Sequence, residues 1–297
     1  MKILLCGARG FIGKRIAEAL VRRGHTVVAG ISGPPRGGEA MALRVDYARD
    51  TTPAAWLPRL AGIDAVVNAV GVLRDTAKRP IVETHQRAPI ALFEACAEAR
   101  VMRVVQVSAL GIDGSPTAYA QTKLAAERRL QALVAEGRLD AAILRPSIVF
   151  GLGGASSELF LNLARLPLLL LPGPVLRARV QPIAVGELAE VIAALVDATT
   201  PVGEFAREPL EAVGPTPVGM ADFIASLRSQ SGRGSARVCA LPGLVTQLSA
   251  RIGDAIPVSP WCSETLAMLA SDNVADPARF AARLGRPATA YGKLLAA

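Results

Sequence analysis

The chain has 297 residues, 51 % of them hydrophobic, with a mean hydropathy of +0.36 and a formal net charge of +8. That apolar share excludes a disordered chain, and the length suffices for one large domain or one and a half. No apolar run reaches the roughly 18 residues of a membrane helix, and Met1 leads straight into an apolar stretch with no room for a signal peptide. The expectation is a soluble, cytoplasmic protein without stable membrane insertion.

The four cysteines, Cys6, Cys96, Cys239 and Cys262, lie far apart and show no C-x-x-C spacing. The only histidines are His25 and His85. No metal site is expected from this set, and it fits buried free thiols in a reducing compartment. The arginines are scattered singly and in pairs, and aromatic residues make up only 4 %. A nucleic-acid surface needs clustered charge and stacking residues, so the basic balance is read as attraction for an anionic cofactor or substrate.

Residues 2–6 form an apolar run without helical periodicity, which reads as a buried parallel strand. The turn Cys6-Gly7-Ala8-Arg9-Gly10-Phe11-Ile12-Gly13 follows at once. Phe11, Ile12, Ile16, Ala19 and Leu20 then mark one face of a helix that stops at Gly24, and residues 25–31 are a second strand. This strand, glycine turn, helix and strand place three glycines where a dinucleotide site needs them: Gly7 for the tight turn, Gly10 for approach to a diphosphate, Gly13 for helix packing on the strand. The amides of the first helical turn, at Phe11 and Ile12, would hold that diphosphate.

Residues 42–45 read as a brief third strand ending at Asp46. A site selective for NAD(H) places an acid about 20 residues beyond the glycines, yet residues 31–38 contain none. Ser32 offers a hydroxyl there, and Arg9 and Arg36 offer cations that suit a 2′-phosphate. NADP(H) is therefore the expected cofactor, with NAD(H) left open.

Further strands are predicted at 62–71, ending at Asn68-Ala69-Val70-Gly71, then at 101–107 and 140–144, with helices at 56–60, 81–100 and 118–136 between them. This alternation predicts an α/β, Rossmann-type doubly wound parallel sheet. Beyond residue 151 the pattern changes. Residues 151–173 read as loop with one short helix, 180–185 as a strand and 186–198 as a helix. Helices near 219–229, 242–252, 262–270 and 277–284 complete a smaller, mainly helical C-terminal part, with a mobile loop expected at 229–235. The domain expectation is a cofactor-binding core at 1–150, to which 180–200 returns, and a substrate-binding region at 151–179 and 201–297.

Tyr119-Ala-Gln-Thr-Lys123 puts a phenol and an ammonium on one helix face, and Ser108 ends the strand before it. A phenol with an unperturbed pKa of about 10 is a poor base at neutral pH. A neighbouring cation and an oxidised nicotinamide both favour phenolate, and a serine hydroxyl can bond the oxygen whose charge changes during hydride transfer.

These residues, with Leu144-Arg-Pro146-Ser-Ile148-Val-Phe-Gly151, resemble the short-chain dehydrogenase/reductase superfamily in its extended or atypical branch. Val107-Ser-Ala-Leu-Gly111 and Glu83-Thr-His85 are similar to relatives of the nucleotide-binding accessory subunit of respiratory complex I, and to bacterial nucleoside-diphosphate-sugar epimerases or dehydratases. The resemblance covers residues 1–198. It implies Tyr119 as acid/base, Lys123 as its partner and a ribose ligand, and Ser108 as stabiliser of the reacting oxygen. It also implies Asp46 beside the adenine, Ala69, Val70 and Gly71 along the ribose and diphosphate, and Pro146 and Ile148 by the nicotinamide. Cys6, Arg9 within the turn, and His85 where many extended members have Asn depart from the pattern; His85 is read as a packed or capping residue.

The expected function is hydride transfer between NADP(H) and a carbonyl or hydroxyl substrate. Nucleotide-sugar epimerisation or dehydration, and a non-catalytic accessory or sensor role with bound NADP(H), stay open as alternatives. Phe160, Leu161, Leu166, Leu168 to Leu171 and Leu176, with only Arg165, Arg177 and Arg179 as cations nearby, favour a small apolar substrate, although the same leucines would serve equally as core. Homodimers are common in such folds, and a homodimer stays open here.

Overall fold

The first strand, β1 (Lys2–Cys6), has every residue after Lys2 buried, as a strand covered on both faces requires. A computed structural model describes residues 1–34, 41–73, 75–76, 79–255, 266 and 272–296. The chain forms two compact units, Met1–Arg145 with Ala189–Leu210, and Pro146–Leu188 with Glu211–Ala297.

In the first unit β1 pairs in parallel with β2 (Thr26–Ile31), which pairs in parallel with β3 (Ala42–Arg44). On its other side β1 pairs with β4 (Ala65–Asn68), followed outward by β5 (Arg103–Val107) and β6 (Ala141–Pro146), again all parallel. The strand order is 3-2-1-4-5-6, and a seventh strand, Leu210–Ala212, lies beside β6. This is the Rossmann order, in which the chain leaves β1 in opposite directions and a crevice opens at the carboxyl ends of β1 and β4.

Helix α1 (Phe11–Arg22) buries Gly13, Ile16, Ala19 and Leu20, one stripe at helical spacing. It ends in a Schellman motif: Gly24 takes φ +79°, its N–H donates to the Val21 carbonyl at 2.9 Å, and the His25 N–H donates to the Leu20 carbonyl at 3.1 Å. A short helix, α2 (Pro53–Trp56), buries Trp56. The long helix expected at 81–100 is a π-turn at Glu83–Arg87 that continues as α3 (Ala88–Glu98). Helix α4 (Ala118–Ala135) is capped by Thr117, whose Oγ1 accepts the Ala120 N–H at 3.2 Å. Leu4, Val66, Val104 and Ile143 on the strands pack with Trp56, Leu92, Phe93, Leu130 and Leu133 in one continuous core.

Arg103 is 5 % exposed, and its guanidinium donates to the carbonyls of Leu195, Ala198 and Thr200 at 3.0, 2.6 and 3.1 Å and to the Asp140 carboxylate at 2.9 Å. A buried charge needs such partners. The three carbonyls come from residues 189–210, the segment that returns to this unit.

The second unit departs further from the sequence expectations. The stretch read as loop with one short helix is a helix, Ala155–Arg165, followed by a strand, Leu168–Pro172, paired in parallel with Arg237–Leu241. Leu169 and Leu171 enter this unit's core with Phe160, Val175 and Phe223, whereas Leu166, Leu168 and Leu170 are exposed. The strand expected at 180–185 breaks into Arg179–Val180 and Ile183–Ala184. Between them Pro182 has no N–H to donate, and Gln181 spends its amide on the Gly214 carbonyl at 2.6 Å and the Ala275 N–H at 3.0 Å. The turn after Gln230 is tied down by the Arg228 side chain, which donates to the Gly234 carbonyl. The helix expected at 262–270 lies outside the described residues apart from residue 266.

Of the cysteines, Cys6 and Cys96 are buried and free, but Cys239 is exposed, contrary to the expectation of buried thiols throughout; Cys262 lies outside the described residues. No helix among the described residues is long and apolar enough to cross a membrane.

Candidate active site

β1 ends at Cys6, and the chain reverses through Gly7 at φ +85°, a conformation that side chains disfavour. The Gly10 N–H returns to the Gly7 carbonyl at 2.8 Å. A Cβ on Gly13 would stand 2.0 Å from that carbonyl oxygen and 2.8 Å from its carbon, so only glycine fits. A Cβ on Gly7 would meet the Ala69 carbonyl group at 3.0 Å, and the Ala69 N–H donates to the Cys6 carbonyl at 3.0 Å. The ends of β1 and β4 thus touch backbone to backbone at the point where the strand order reverses. No side chain caps α1 at Gly10. An uncapped helix start, with amides at Phe11, Ile12 and Gly13, suits an anionic diphosphate.

Beside this corner lies a pocket of about 380 Å³ lined by Ile31, Ser32, Gly33, Pro34 and Arg44. Arg9 reaches across to it, its Nη2 donating to the Pro34 carbonyl at 2.7 Å. Arg44 is a cation that the motif reading missed. The register Ile31↔Arg44 brings it beside Ser32, which strand pairing reveals and spacing from the glycines does not. Arg36 lies outside the described residues. Asp46 is half-buried and holds its own turn, its carboxylate accepting the Ala48 N–H at 3.1 Å and its N–H donating to Asp50 at 2.6 Å.

Ser108 follows β5 and is anchored by its N–H, which donates to the Leu144 carbonyl at 2.7 Å. Its Oγ is buried and has no hydrogen-bond partner among the described residues. An orphaned buried hydroxyl is costly, and a ligand oxygen would satisfy it.

Tyr119 and Lys123 occupy the first turns of α4, both buried. The Lys123 Nζ lies 5.3 Å from the centroid of the Tyr119 ring and donates one long hydrogen bond, 3.5 Å, to the Val107 carbonyl. Burial lowers its pKa to about 8, opposed by Glu127 one turn further on. Glu127 is itself buried and held by Arg145, whose Nε and Nη2 donate to its carboxylate at 3.1 and 2.5 Å; Arg145 also pairs with Asp113. Arg145 lies within the Leu144–Gly151 motif, but no motif marks its partnership with Glu127, which joins a helix face to a strand end.

His85, 2 % exposed, faces the same place. Its Nε2 accepts the Val72 N–H at 2.9 Å, which leaves the proton on Nδ1 facing the Thr122 Oγ1 at 3.4 Å; that hydroxyl donates onward to the Ala118 carbonyl at 2.7 Å. Burial, reinforced by the Lys123 charge, holds the imidazole neutral with a pKa near 2. A Cβ on Gly71 would lie 3.7 Å from His85 Nε2 and 3.9 Å from Lys123 Nζ, so the end of β4 arrives between these two groups.

Beneath this site Tyr47 donates to Asn68 at 2.7 Å, and Asn68 donates to Gln106 at 2.8 Å, a buried polar ladder across the sheet. Asn68 also accepts the Val70 N–H at 3.3 Å, fixing the path of Ala69 and Val70. Burial pushes the Cys6 thiol up to about 12, so it is no nucleophile. Pro146 ends β6, and Ile148 packs against the core of the second unit.

The residues present fit a dinucleotide. At the glycine corner a Cβ on Gly7 or Gly13 would collide with the protein's own backbone, which keeps the turn tight, and the Ser108 hydroxyl, without a hydrogen-bond partner among the described residues, stands with Lys123 on the β5–α4 segment.

Solved structures share this fold at low identity, which establishes the fold alone. MoeE5 in complex with UDP-glucuronic acid and NAD is 20 % identical, with a TM-score of 0.68 over 100 % of this chain and 97 % of that one. UDP-glucuronic acid 4-epimerase from Bacillus cereus, in complex with UDP-glucuronic acid and NAD, is 18 % identical, with a TM-score of 0.71 over 100 % and 97 %. The NADPH-dependent quinone oxidoreductase QOR2 from Escherichia coli, complexed with NADPH, is 15 % identical, with a TM-score of 0.70 over 98 % and 97 %. No curated protein matches the sequence. The glycine corner, the end of β4 and the Tyr119/Lys123 pair all fall within residues 3–198, which match the model of the NAD dependent epimerase/dehydratase family, and the chain belongs to that family, in the extended branch of the short-chain dehydrogenases/reductases.

Proposed function

We propose that this protein is an NADP(H)-dependent oxidoreductase acting on a carbonyl or hydroxyl group of a small molecule, with Tyr119 as its acid/base. The observation that carries this reading is Lys123. Its ammonium is buried, forms no salt bridge among the described residues, and lies against the ring of Tyr119. Burying such a charge costs stability, a cost that a cation needed to favour the phenolate justifies.

The glycine corner, the Arg9/Ser32/Arg44 pocket, Ala69 to Gly71 and Lys123 would hold the cofactor, which supplies or accepts the hydride when bound. Ser108 donates its free hydroxyl proton to the substrate oxygen and steadies its developing charge. Tyr119 gives that oxygen a proton in reduction and takes one in oxidation, and Lys123 sets the ease of both. Arg9 and Arg44 pair with a 2′-phosphate, which supports NADP(H) over NAD(H).

A second reading, nucleotide-sugar epimerisation, is favoured by the UDP-sugars bound in two of the similar structures. The experiment is NADPH oxidation across a carbonyl panel that includes quinones, beside conversion of UDP-sugars without net change in cofactor. Tyr119→Phe should lower turnover at least about 100-fold and leave NADPH affinity unchanged. Sugar conversion alone would establish the epimerase. Tight NADPH binding with no turnover in either assay would make the protein a binder.

A further inference from the structure

The helix Gly243–Ala255 is turned the wrong way round for a helix facing water. Thr246 and Gly253 are buried and Ser249 is half-buried, a small and polar stripe at i, i+3 and i+7. Val245, Leu248 and Ile252, at the same spacing, are exposed, Leu248 to 61 % and Ile252 to 56 %. A helix on a water-facing surface normally directs its apolar stripe at the core, so this one presents an interface.

The strand before it extends the pattern. Arg237–Leu241 is separated from the helix by Pro242 alone and pairs with Leu168–Pro172. Leu168 and Leu170 are exposed, and the register sets Arg237 opposite Leu168 and Cys239 opposite Leu170.

Charge identifies the occupant. Residues 159–186 and 223–255, which supply these elements, contain Arg165, Arg177, Arg179, Arg228, Arg233, Arg237 and Arg251 against a single acid, Asp254 in the last turn of the helix. Arg179 pairs with Asp272, and Arg228 donates to the Ala164 and Leu166 carbonyls. Arg165, Arg177, Arg233, Arg237 and Arg251 are exposed. Exposed leucine, valine and isoleucine in elements that carry seven arginines against one carboxylate match an anionic lipid surface, where apolar side chains enter the acyl boundary and cations meet the headgroups.

We propose that this face of the second unit adsorbs to anionic membrane surfaces, with the helix Gly243–Ala255 lying in the plane of the interface. The inference does not depend on the oxidoreductase reading. It concerns adsorption, since no helix among the described residues can span a bilayer.

The test is flotation of the full-length protein with vesicles of phosphatidylcholine alone or containing phosphatidylglycerol. Binding is expected only with the anionic vesicles and should fall as salt is raised. Leu248→Gln/Ile252→Gln and, separately, Arg237→Glu/Arg251→Glu should each weaken it by about tenfold or more. NADPH affinity and the circular dichroism melt report that each variant is folded. No flotation with anionic vesicles, or equal flotation of the wild type and both folded variants, would overturn the proposal. So would a dimer in solution that Leu248→Gln/Ile252→Gln dissociates without any vesicle binding by the wild type, which would assign the face to a second copy.

Discussion

The imidazole of His85 meets the ring of Tyr119 edge to face, with centroids 5.1 Å apart and planes at 88°. The same imidazole accepts the Val72 N–H, so one neutral histidine positions both the phenol and the chain just beyond β4. Its folded pKa, near 2, lies below its unfolded value of about 6.5. The unfolded chain therefore binds more protons between these values, and stability is lost as pH falls below about 6.5. His85→Gln should remove this part of the acid sensitivity and cost about 1–3 kcal/mol at pH 7 by disturbing the hydrogen bond from the Val72 N–H. Urea unfolding of both proteins across pH checks it, and parallel curves would refute it.

Lys123 has the same sign in a higher pH window. Its pKa drops from 10.5 to about 8 on folding, so the unfolded chain again holds more protons between these limits, and stability rises with pH through that window. At pH 7 the folded protein bears the cost of the buried charge, on the order of 3 kcal/mol. Lys123→Met should therefore be more stable than wild type at pH 7, with the gap closing towards pH 10.5, while turnover disappears. A variant less stable at pH 7 would count against it.

Gly13→Ala places a methyl group 2.0 Å from the Gly7 carbonyl oxygen. That oxygen belongs to the backbone, so no side chain can move aside, and the turn itself must open. A loss of about 1–3 kcal/mol should accompany a large drop in NADPH affinity, read by denaturant unfolding and by titration of nucleotide fluorescence. Unchanged affinity would show that the diphosphate does not sit at this corner.

Arg44→Ala should weaken NADPH at least about tenfold, the scale of one charge-assisted contact, and leave NADH within experimental error. Isothermal titration with both nucleotides decides it. Equal losses for the two would move the 2′-phosphate away from the pocket lined by Ser32 and Arg44.

How much of this was legible in the sequence depended on the range of the interaction. The unit from β1 to β2 was readable because the period changes from strand to helix around three glycines, and Tyr119/Lys123 because four residues make one helical turn. Arg44, the clamp of Glu127 by Arg145 and the meeting of Gly71 with His85 and Lys123 were not, since each joins residues that only strand register or helix docking brings together. The strand Leu168–Pro172 was misread because leucine is a good helix former and proline at both sides resembles a loop. Its pairing with Arg237–Leu241 overrode that local preference.

The chain passes between its two units three times, at 145/146, 188/189 and 210/211. During synthesis the guanidinium of Arg103 therefore waits for carbonyls that emerge more than ninety residues later, between Leu195 and Thr200. The first unit cannot close on the ribosome until the whole of Pro146–Leu188, the other unit's first segment, has left the exit tunnel, and a stop codon anywhere before residue 200 should yield a polypeptide fit only for chaperones and proteases.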